Sequence, residues 1–371
     1  MALLNQQPSY ISSQSIPIGE NAAGETISIT LIEVKGKNSN APSAYIQASV
    51  HAAEIQGNAV IMALMNHFHR HQPQGNITLV PQCNPIGMNH HIGSAHQGRF
   101  DPMTGDNWNR FYLTPKIDID AFVDQHINTP GERCQSLFRR LICENIDKML
   151  HDRLTLSRAR RLNLTLQKQA ALADIVLDLH TDDEAIDYLY SPAYAKEEAA
   201  HLGFKHILVL DNHTTGALDE AIFFPWWSLQ QRFQQKGRQE SVWIQSFTLE
   251  LGSQERIDSK KAKTQADGIL AYLITKQVIE ADTQETSIMP TPHYHEIKQF
   301  KAIHGEHGGL YEWLIKPGDF IKKGQCIGFC LKMAKLQSID ITLPFDATII
   351  SINGKGALPQ SAHILNVVDH G

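Results

Sequence analysis

Three compact apolar runs each end on a residue able to bind a metal or carry a proton. Ala44-Tyr-Ile-Gln-Ala-Ser-Val50 runs into His51, Ala173-Asp-Ile-Val-Leu-Asp-Leu179 into His180, and Trp243-Ile-Gln-Ser-Phe-Thr-Leu249 into Glu250. Short apolar runs of this kind read as buried strands. Ile27–Val34, Asn76–Pro81 and His206–Leu210 read as further strands. Between them, apolar residues recur at helical spacing over Glu54–Arg70, over 132–172 and over Ala262–Ile279. Strands alternating with helices predict an α/β fold, a mostly parallel mixed sheet with helices on both faces. Sites in open sheets of this kind sit at the carboxyl ends of the strands, where His51, His180 and Glu250 all fall. On this reading His51 closes a strand-to-helix turn and Glu54 opens the helix.

Around Ala281–Pro292 the composition turns polar and proline-containing, as in a linker. Beyond it lie short strand patterns punctuated by Gly308-Gly309, Lys316-Pro-Gly-Asp319, Lys323-Gly324 and Asn353-Gly354. Two units are therefore expected: 1–285, and a small all-β module over 286–371. The 371 residues are 42% apolar and 19% charged, with a formal charge of −6 and a pI near 6.3. That balance offers no basic face for nucleic acid. No apolar run is long enough to cross a bilayer, and Met1–Pro8 lacks the charged and apolar regions of a secretory signal. The five scattered cysteines read as free thiols in a reducing, cytoplasmic setting. Cys326-x3-Cys330 lies in an apolar stretch and reads as packing.

His51 and Glu54 offer one imidazole and one carboxylate, and His180 a second imidazole. Three N/O donors that leave a position open for water describe a catalytic zinc site rather than a structural one. His-x-x-Glu alone is a weak pattern; His293-x-x-Glu296 repeats it in the linker and reads as solvated surface. Asp178 shares a strand face with His180 and is placed to accept the second imidazole proton, or else faces water. Glu250 suits a proton shuttle if partly buried; the other reading pairs it with a nearby Lys or Arg. Glu255, in a polar run, reads as surface. The Gly-, Asn- and His-rich stretch from Asn84 to Phe111 carries Arg99 and Arg110. A guanidinium there can polarise a carbonyl or grip a carboxylate, while Asn107 and Asn109 can equally be ordinary loop contacts. Phe223-Phe-Pro-Trp-Trp227 either lines a pocket for an apolar group or packs the core.

Taken in order, His51-x-x-Glu54, Asn84-Pro85, Arg99, Asp106-x-x-Asn109-Arg110-Phe111, Asp178-Leu-His180 and Glu250-Leu-Gly252 resemble the succinylglutamate desuccinylase/aspartoacylase family, a branch of the zinc carboxypeptidase-like hydrolases. The resemblance covers about 45–255 and is extended by the C-terminal module. It implies one zinc ion per chain held by His51, Glu54 and His180. It also implies Glu250 as the base, Arg99 as the carbonyl polariser, and Asn84, Asn109 and Arg110 on the substrate, with Asp178 behind a ligand. It implies a biotinyl/lipoyl-like barrel-sandwich for the module, where Lys316-Pro-Gly-Asp-Phe-Ile-Lys-Lys-Gly324 and Leu343-Pro-Phe-Asp-Ala-Thr348 match the turn pattern. The Met-Lys-Met attachment hairpin is absent, although Lys332-Met333 and Lys335 stand near its place. The implied activity is hydrolysis of the amide bond of a small N-acyl amino acid. A metallocarboxypeptidase acting on short peptides and a non-catalytic zinc-containing binding protein are the alternatives. The acyl group and amine are not legible, nor is whether the module shields the site or builds a homo-oligomer interface.

Overall fold

Strands whose two faces are both apolar must be covered on both sides, and the centre of this chain is built that way. The computed structural model describes residues 8–152, 156–211, 214–281 and 290–371. Among these, a nine-stranded sheet is formed by β1 (Ile11–Glu20), β2 (Thr26–Val34), β3 (Ala44–Ala48), β4 (Ile77–Val80), β5 (Ile175–Asp182), β6 (Asp187–Pro192), β7 (His206–Leu210), β8 (Gln245–Ser253) and β9 (His293–Glu296). Their spatial order is β1-β2-β4-β3-β5-β8-β6-β7-β9. Neighbours from β4 through β3 and β5 to β8 run parallel, as do β6, β7 and β9. The joins β1–β2, β2–β4 and β8–β6 are antiparallel. The expected α/β class with a mixed, mostly parallel sheet is what the chain forms.

Alternation along each strand separates two cores. Ile175, Leu177 and Leu179 face one side, with Phe247, Leu249 and Leu251 of β8, and are covered by α1 (Gln56–Phe68) and the helix Ser259–Thr275. Tyr45 and Val176 face the other side, covered by α2 (Gly131–His151), α3 (Arg158–Ala171) and α4 (Leu218–Gln235). Gly57 lets α1 approach the sheet: a Cβ there would lie 2.9 Å from Leu179 Cβ and 3.0 Å from Ala48 Cβ.

Some boundaries differ from the sequence reading. Ser49 adopts φ 63°, which ends β3. Backbone bonds Glu54 N→His51 O and Ile55 N→Ala53 O then form a tight turn, and α1 starts only at Gln56. Glu54 thus precedes the helix rather than opening it, and no acidic residue occupies the first turn. His180 and Glu250 lie inside their strands, which run on to Asp182 and Ser253. Strand β1 has no expectation to match: its Ser-Ser-Gln-Ser stretch carries no apolar alternation. It pairs as a sheet edge, and its register shifts between Pro17 and Gly19, the kind of place where an edge strand tolerates proline. His293 and Glu296 are exposed as expected, but in edge strand β9 rather than in a linker. The rest of the linker and the 285/286 boundary fall on 282–289, outside the described residues, as do 1–7 of the N-terminal stretch.

The C-terminal residues form two small sheets around one core. One contains Phe300–His304, His363–Asp369, Ala347–Ile352 and Phe320–Ile321. The other contains Gln337–Ile341, Gly328–Lys332, Gly309–Trp313 and Gly356–Leu358. Ile321, Ile327, Cys330, Ile349, Leu365 and Val367 fill the space between them. Glu184–Ala185, just beyond β5, pairs with Ala347–Ile352, so this module is hydrogen-bonded to the end of the strand that carries His180. Cys326 and Cys330 are free; Cys330 packs in this core, and half-buried Cys326 places Sγ 3.5 Å from Gly328 O.

Candidate active site

Strand register sets the site. Across β3, β5, β8 and β6, Gln47 pairs with Asp178, Asp178 with Thr248, and Thr248 with Tyr190. In the adjoining row His180 pairs with Glu250, and Glu250 with Tyr188. Residues paired across neighbouring strands share a face, so these polar and aromatic side chains stand together on the α2–α4 side of the sheet. They lie toward the carboxyl ends of the parallel strands β3, β5 and β8, where the α/β rule places a site.

The turn after β3 brings His51 and Glu54 onto that platform. His51 Nδ1 lies 2.8 Å from Glu54 Oε1, and His180 Nδ1 lies 2.7 Å from Glu54 Oε2. One ligand atom from each of the three residues lies within 4.8 Å of the others, and all three residues are buried. The far ring nitrogens have their own partners. His51 Nε2 donates to Asn107 Oδ1 at 2.7 Å, and Asp178 Oδ2 lies 2.9 Å from His180 Nε2. For His51 the Asn107 oxygen holds the Nε2 proton outward and leaves the Nδ1 lone pair for a metal. His180 turns Nδ1 to Glu54 as well, with the Asp178 carboxylate and the Asn109 amide nitrogen both beside its Nε2. Two nitrogen donors and one oxygen donor suit a divalent ion of the zinc type. The group can therefore hold such an ion.

Electrostatics follow from this packing. Burial alone would raise the Glu54 carboxyl, but the His51 and His180 imidazoles hold it well below the usual range. Burial disfavours protonated His180, yet Asp178 and Glu54 raise its pKa well above normal. His51 is lowered, chiefly by burial, against the pull of Glu54. Glu250 is pushed well up by burial, with Glu54 and Asp182 adding to it, and its buried Oε2 has no hydrogen-bond partner.

A cavity of about 580 Å³ opens over these groups, lined by His51, Glu54, His180, Glu250, Arg99, Asn109 and Arg110 among others. Arg99 is half-exposed and places Nη1 3.0 Å from Glu54 Oε1. Asn109 Nδ2 stands 3.1 Å from His180 Nε2. Arg110 donates Nη1 to its neighbour's carbonyl, Asn109 O, at 2.7 Å and is exposed at the rim. Asn84 is placed differently from the rest. It is fully buried, donates to Val50 O and accepts from Gly87 N at the start of a short helical turn. Both ends of its amide are used by the framework, and it does not line the cavity. Trp226 packs in the core against Phe138 and Trp243, and Trp227 stacks on Phe224. Neither lines the cavity, so the core-packing reading of that stretch holds. Glu255, read as surface, is exposed but sits on the cavity wall.

Sequence reasoning missed several groups. Asn107, which the sequence does not distinguish from an ordinary loop contact, stands behind His51, and its place two positions before Asn109 is the only local signal for it. Tyr188 and Tyr190 of β6, Asp219 at the start of α4, and Asn353, His363 and Asn366 of the C-terminal module also line the cavity. No local pattern marks them, because strand pairing and docking bring them there.

A family model for the succinylglutamate desuccinylase/aspartoacylase catalytic domain matches residues 40–275. A Shewanella frigidimarina structure assigned to succinylglutamate desuccinylase/aspartoacylase shares 35% identity, with a TM-score of 0.93 over 97% of this chain and 98% of that one. A family protein from Shewanella amazonensis shares 35% identity, with a TM-score of 0.91 over 96% and 98%. The product-bound ectoine utilization protein EutE of Ruegeria pomeroyi, at 15% identity, has a TM-score of 0.65 over 99% and 96%, a likeness of fold. No curated protein matches.

Proposed function

The chain belongs to the succinylglutamate desuccinylase/aspartoacylase family of deacylases, and from that premise we propose that it is a zinc-dependent hydrolase of the amide bond of small N-acyl amino acids. The observation that carries the reading is the buried His51–Glu54–His180 group, its two imidazoles backed by Asn107 and Asp178. Zinc, when bound there, supplies Lewis acidity that brings the pKa of water from 15.7 down to about 7.

The chain's own residues do the rest. Glu250 Oε2, buried and without a partner, takes a proton from the water that attacks the acyl carbon. It returns that proton to the nitrogen as the C–N bond breaks, so the amine leaves neutral. Arg99 lines the same cavity and shares the charge that develops on the carbonyl oxygen. Asn109 and Arg110 hold a substrate carboxylate at the rim. Asn84 acts on the framework alone. The expected second unit, 286–371, is of the biotinyl/lipoyl barrel-sandwich type; this is supported by the apolar core that its described residues share from Ile303 onward, while His293–Glu296 pairs with the large sheet. The five free thiols accord with a reducing, cytoplasmic setting.

The test is metal analysis combined with turnover. The wild-type chain should bind one zinc and release amine from N-acyl amino acids. Glu250→Gln should keep the zinc and lose at least 100-fold in kcat, within the range about 10²–10⁴ for a lost general base. Full turnover by a zinc-replete Gln variant would refute the assignment of the base. Zinc bound in the wild type without hydrolysis of any acylated amine would refute the enzyme.

A further inference from the structure

Resting on the deacylase reading, we propose that the substrate carries an organic cation, a primary or alkylated ammonium, at its end remote from the acylated nitrogen, seated against Tyr188, Tyr190 and Phe300 beside Asp219.

Two independent features of the cavity support this. The first is aromatic. Tyr188 and Tyr190 on β6 and Phe300 from the C-terminal module all line the cavity, with ring centroids 5.6, 5.9 and 6.1 Å apart. Tyr190 stands nearly edge-on to both of the others, so the three rings offer differently directed faces rather than a single stack. Tyr190 and Phe300 are only half-buried and present surface to the cavity. The rings pack on one another, and the faces that Tyr190 and Phe300 leave toward the cavity can attract a cation that comes within about 6 Å of a ring centre.

The second feature is charge. Eight carboxylates line the cavity against two guanidinium groups, those of Arg99 and Arg110. Arg99 is paired with Glu54. Among the described residues, none of the other seven carboxylates has a cationic side chain within ion-pairing distance. Asp182 accepts from Tyr188 and Glu250 is the strand partner of Tyr188, while Asp219, fully buried, lies beside Thr248, whose strand partner is Tyr190. Burial, and then the neighbouring Glu220, push its pKa up to about 7. A cation at this wall relieves that strain, whereas a second carboxylate adds to it. A dicarboxylic acyl chain, which would call for a basic wall, has no such wall here.

The test is binding, measured apart from turnover. Three probes differ only at the side-chain end: Nα-acetylornithine (ammonium), Nα-acetylnorvaline (neutral) and Nα-acetylglutamate (carboxylate). Calorimetric titration of the metal-free full chain should give at least tenfold tighter binding for acetylornithine than for acetylnorvaline, with acetylglutamate weakest. Tyr190→Leu and Asp219→Asn should each shrink the ornithine-to-norvaline ratio several-fold. Equal binding of the three, a preference for acetylglutamate, or no saturable binding of acetylornithine overturns the proposal. An undiminished ratio in both variants overturns the seat assigned to the cation. Hydrolysis by the zinc-loaded chain is scored separately. Cation-selective binding with no hydrolysis sinks the deacylase reading alone, and hydrolysis without charge preference sinks the cation site alone.

Discussion

His51 Nε2 donates to Asn107 Oδ1 at 2.7 Å, on the ring edge away from Glu54. One hydrogen bond therefore sets which nitrogen of His51 faces the proposed metal. Replacing Asn107 with Leu removes the acceptor, and the ring loses both its tautomer preference and its orientation. Loss of such an outer partner costs about 10–100-fold in metal affinity. Chelator competition should show a drop of that size for Asn107→Leu and a much smaller one for Asn107→Asp, which still accepts. Equal affinity in the wild type and the Leu variant would remove Asn107 from the site.

Gly57 has no room for a side chain between α1 and the sheet. A methyl group there meets Leu179 Cβ, next to His180 in β5, and Ala48 Cβ at the end of β3. Backbone shift is the only relief, and overpacking of this kind costs about 1–3 kcal/mol. Gly57→Ala should lower urea stability by that amount and weaken zinc binding as well, because the shift moves the segments that carry His51 and His180. A variant as stable as wild type would show that α1 slides freely on the sheet.

Asp219 gives the stability a pH dependence. Its carboxyl is raised from 3.8 to about 7, first by burial and then by Glu220. The folded chain therefore keeps the proton that the unfolded chain loses near pH 4, and stability falls as pH rises from about 4 through about 7. The full shift corresponds to about 4 kcal/mol. Asp219→Asn lacks this penalty. Its stability relative to wild type should improve by a few kcal/mol between pH 4 and pH 8 in urea denaturation. An unchanged difference at the two pH values would show that Asp219 is ionised in the native protein.

The opposite limb comes from His206 on β7 and His295 on β9, whose Nδ1 and Nε2 lie 3.1 Å apart. Burial first, then the imidazoles around them, push both down to about 4; His293 and His370 face the pair, and Lys205 adds positive charge beside His206. Both stay neutral when folded while their unfolded counterparts protonate near 6.5, so stability is lost as pH falls from about 6.5 to about 4. His206→Gln/His295→Gln should unfold with a shallower acid limb. Slopes identical to wild type between pH 7 and pH 4 would assign the acid lability elsewhere.

Asp182 ties the C-terminal module to the site. Its carboxylate accepts from Tyr188, Ser351, Asn353 and Asn366 at 3.1, 2.7, 2.8 and 2.9 Å. His363 Nε2 lies 2.9 Å from Asn366 Oδ1 and orients that amide. Asn366→Leu takes one donor from a part-buried carboxylate and leaves the His363 ring without that acceptor. A loss of about 1–3 kcal/mol follows, together with faster proteolytic cutting between the module and the sheet. Wild-type stability and resistance would mean that the module is held by its apolar contacts alone.

Much of the site was legible because strand periodicity is local. A run of apolar residues that leads to an imidazole brings that imidazole near the carboxyl end of a buried strand, although β5 continues two residues beyond His180, and Asp178 two residues before His180 must share its face. The same reasoning could not separate Asn84 from Asn109. Both are asparagines in one loop-rich stretch, yet Asn84 spends its amide on Val50 and Gly87 while Asn109 reaches His180. Nor could it decide whether Trp226 faces a pocket or the core, since a helical stripe has the same spacing in either case.

The sequence by itself determined the kind of sheet, the metal-type donor set and the family, because each rests on residue types and short-range spacing. Tertiary structure alone decided what surrounds those donors: Tyr190 beside Thr248, Tyr188 beside Glu250, Asn107 behind His51, Asn366 on Asp182. Each of these contacts joins segments far apart in the chain or depends on which strands pair and in what register. Pairing follows from the packing of the whole sheet, which no single segment encodes.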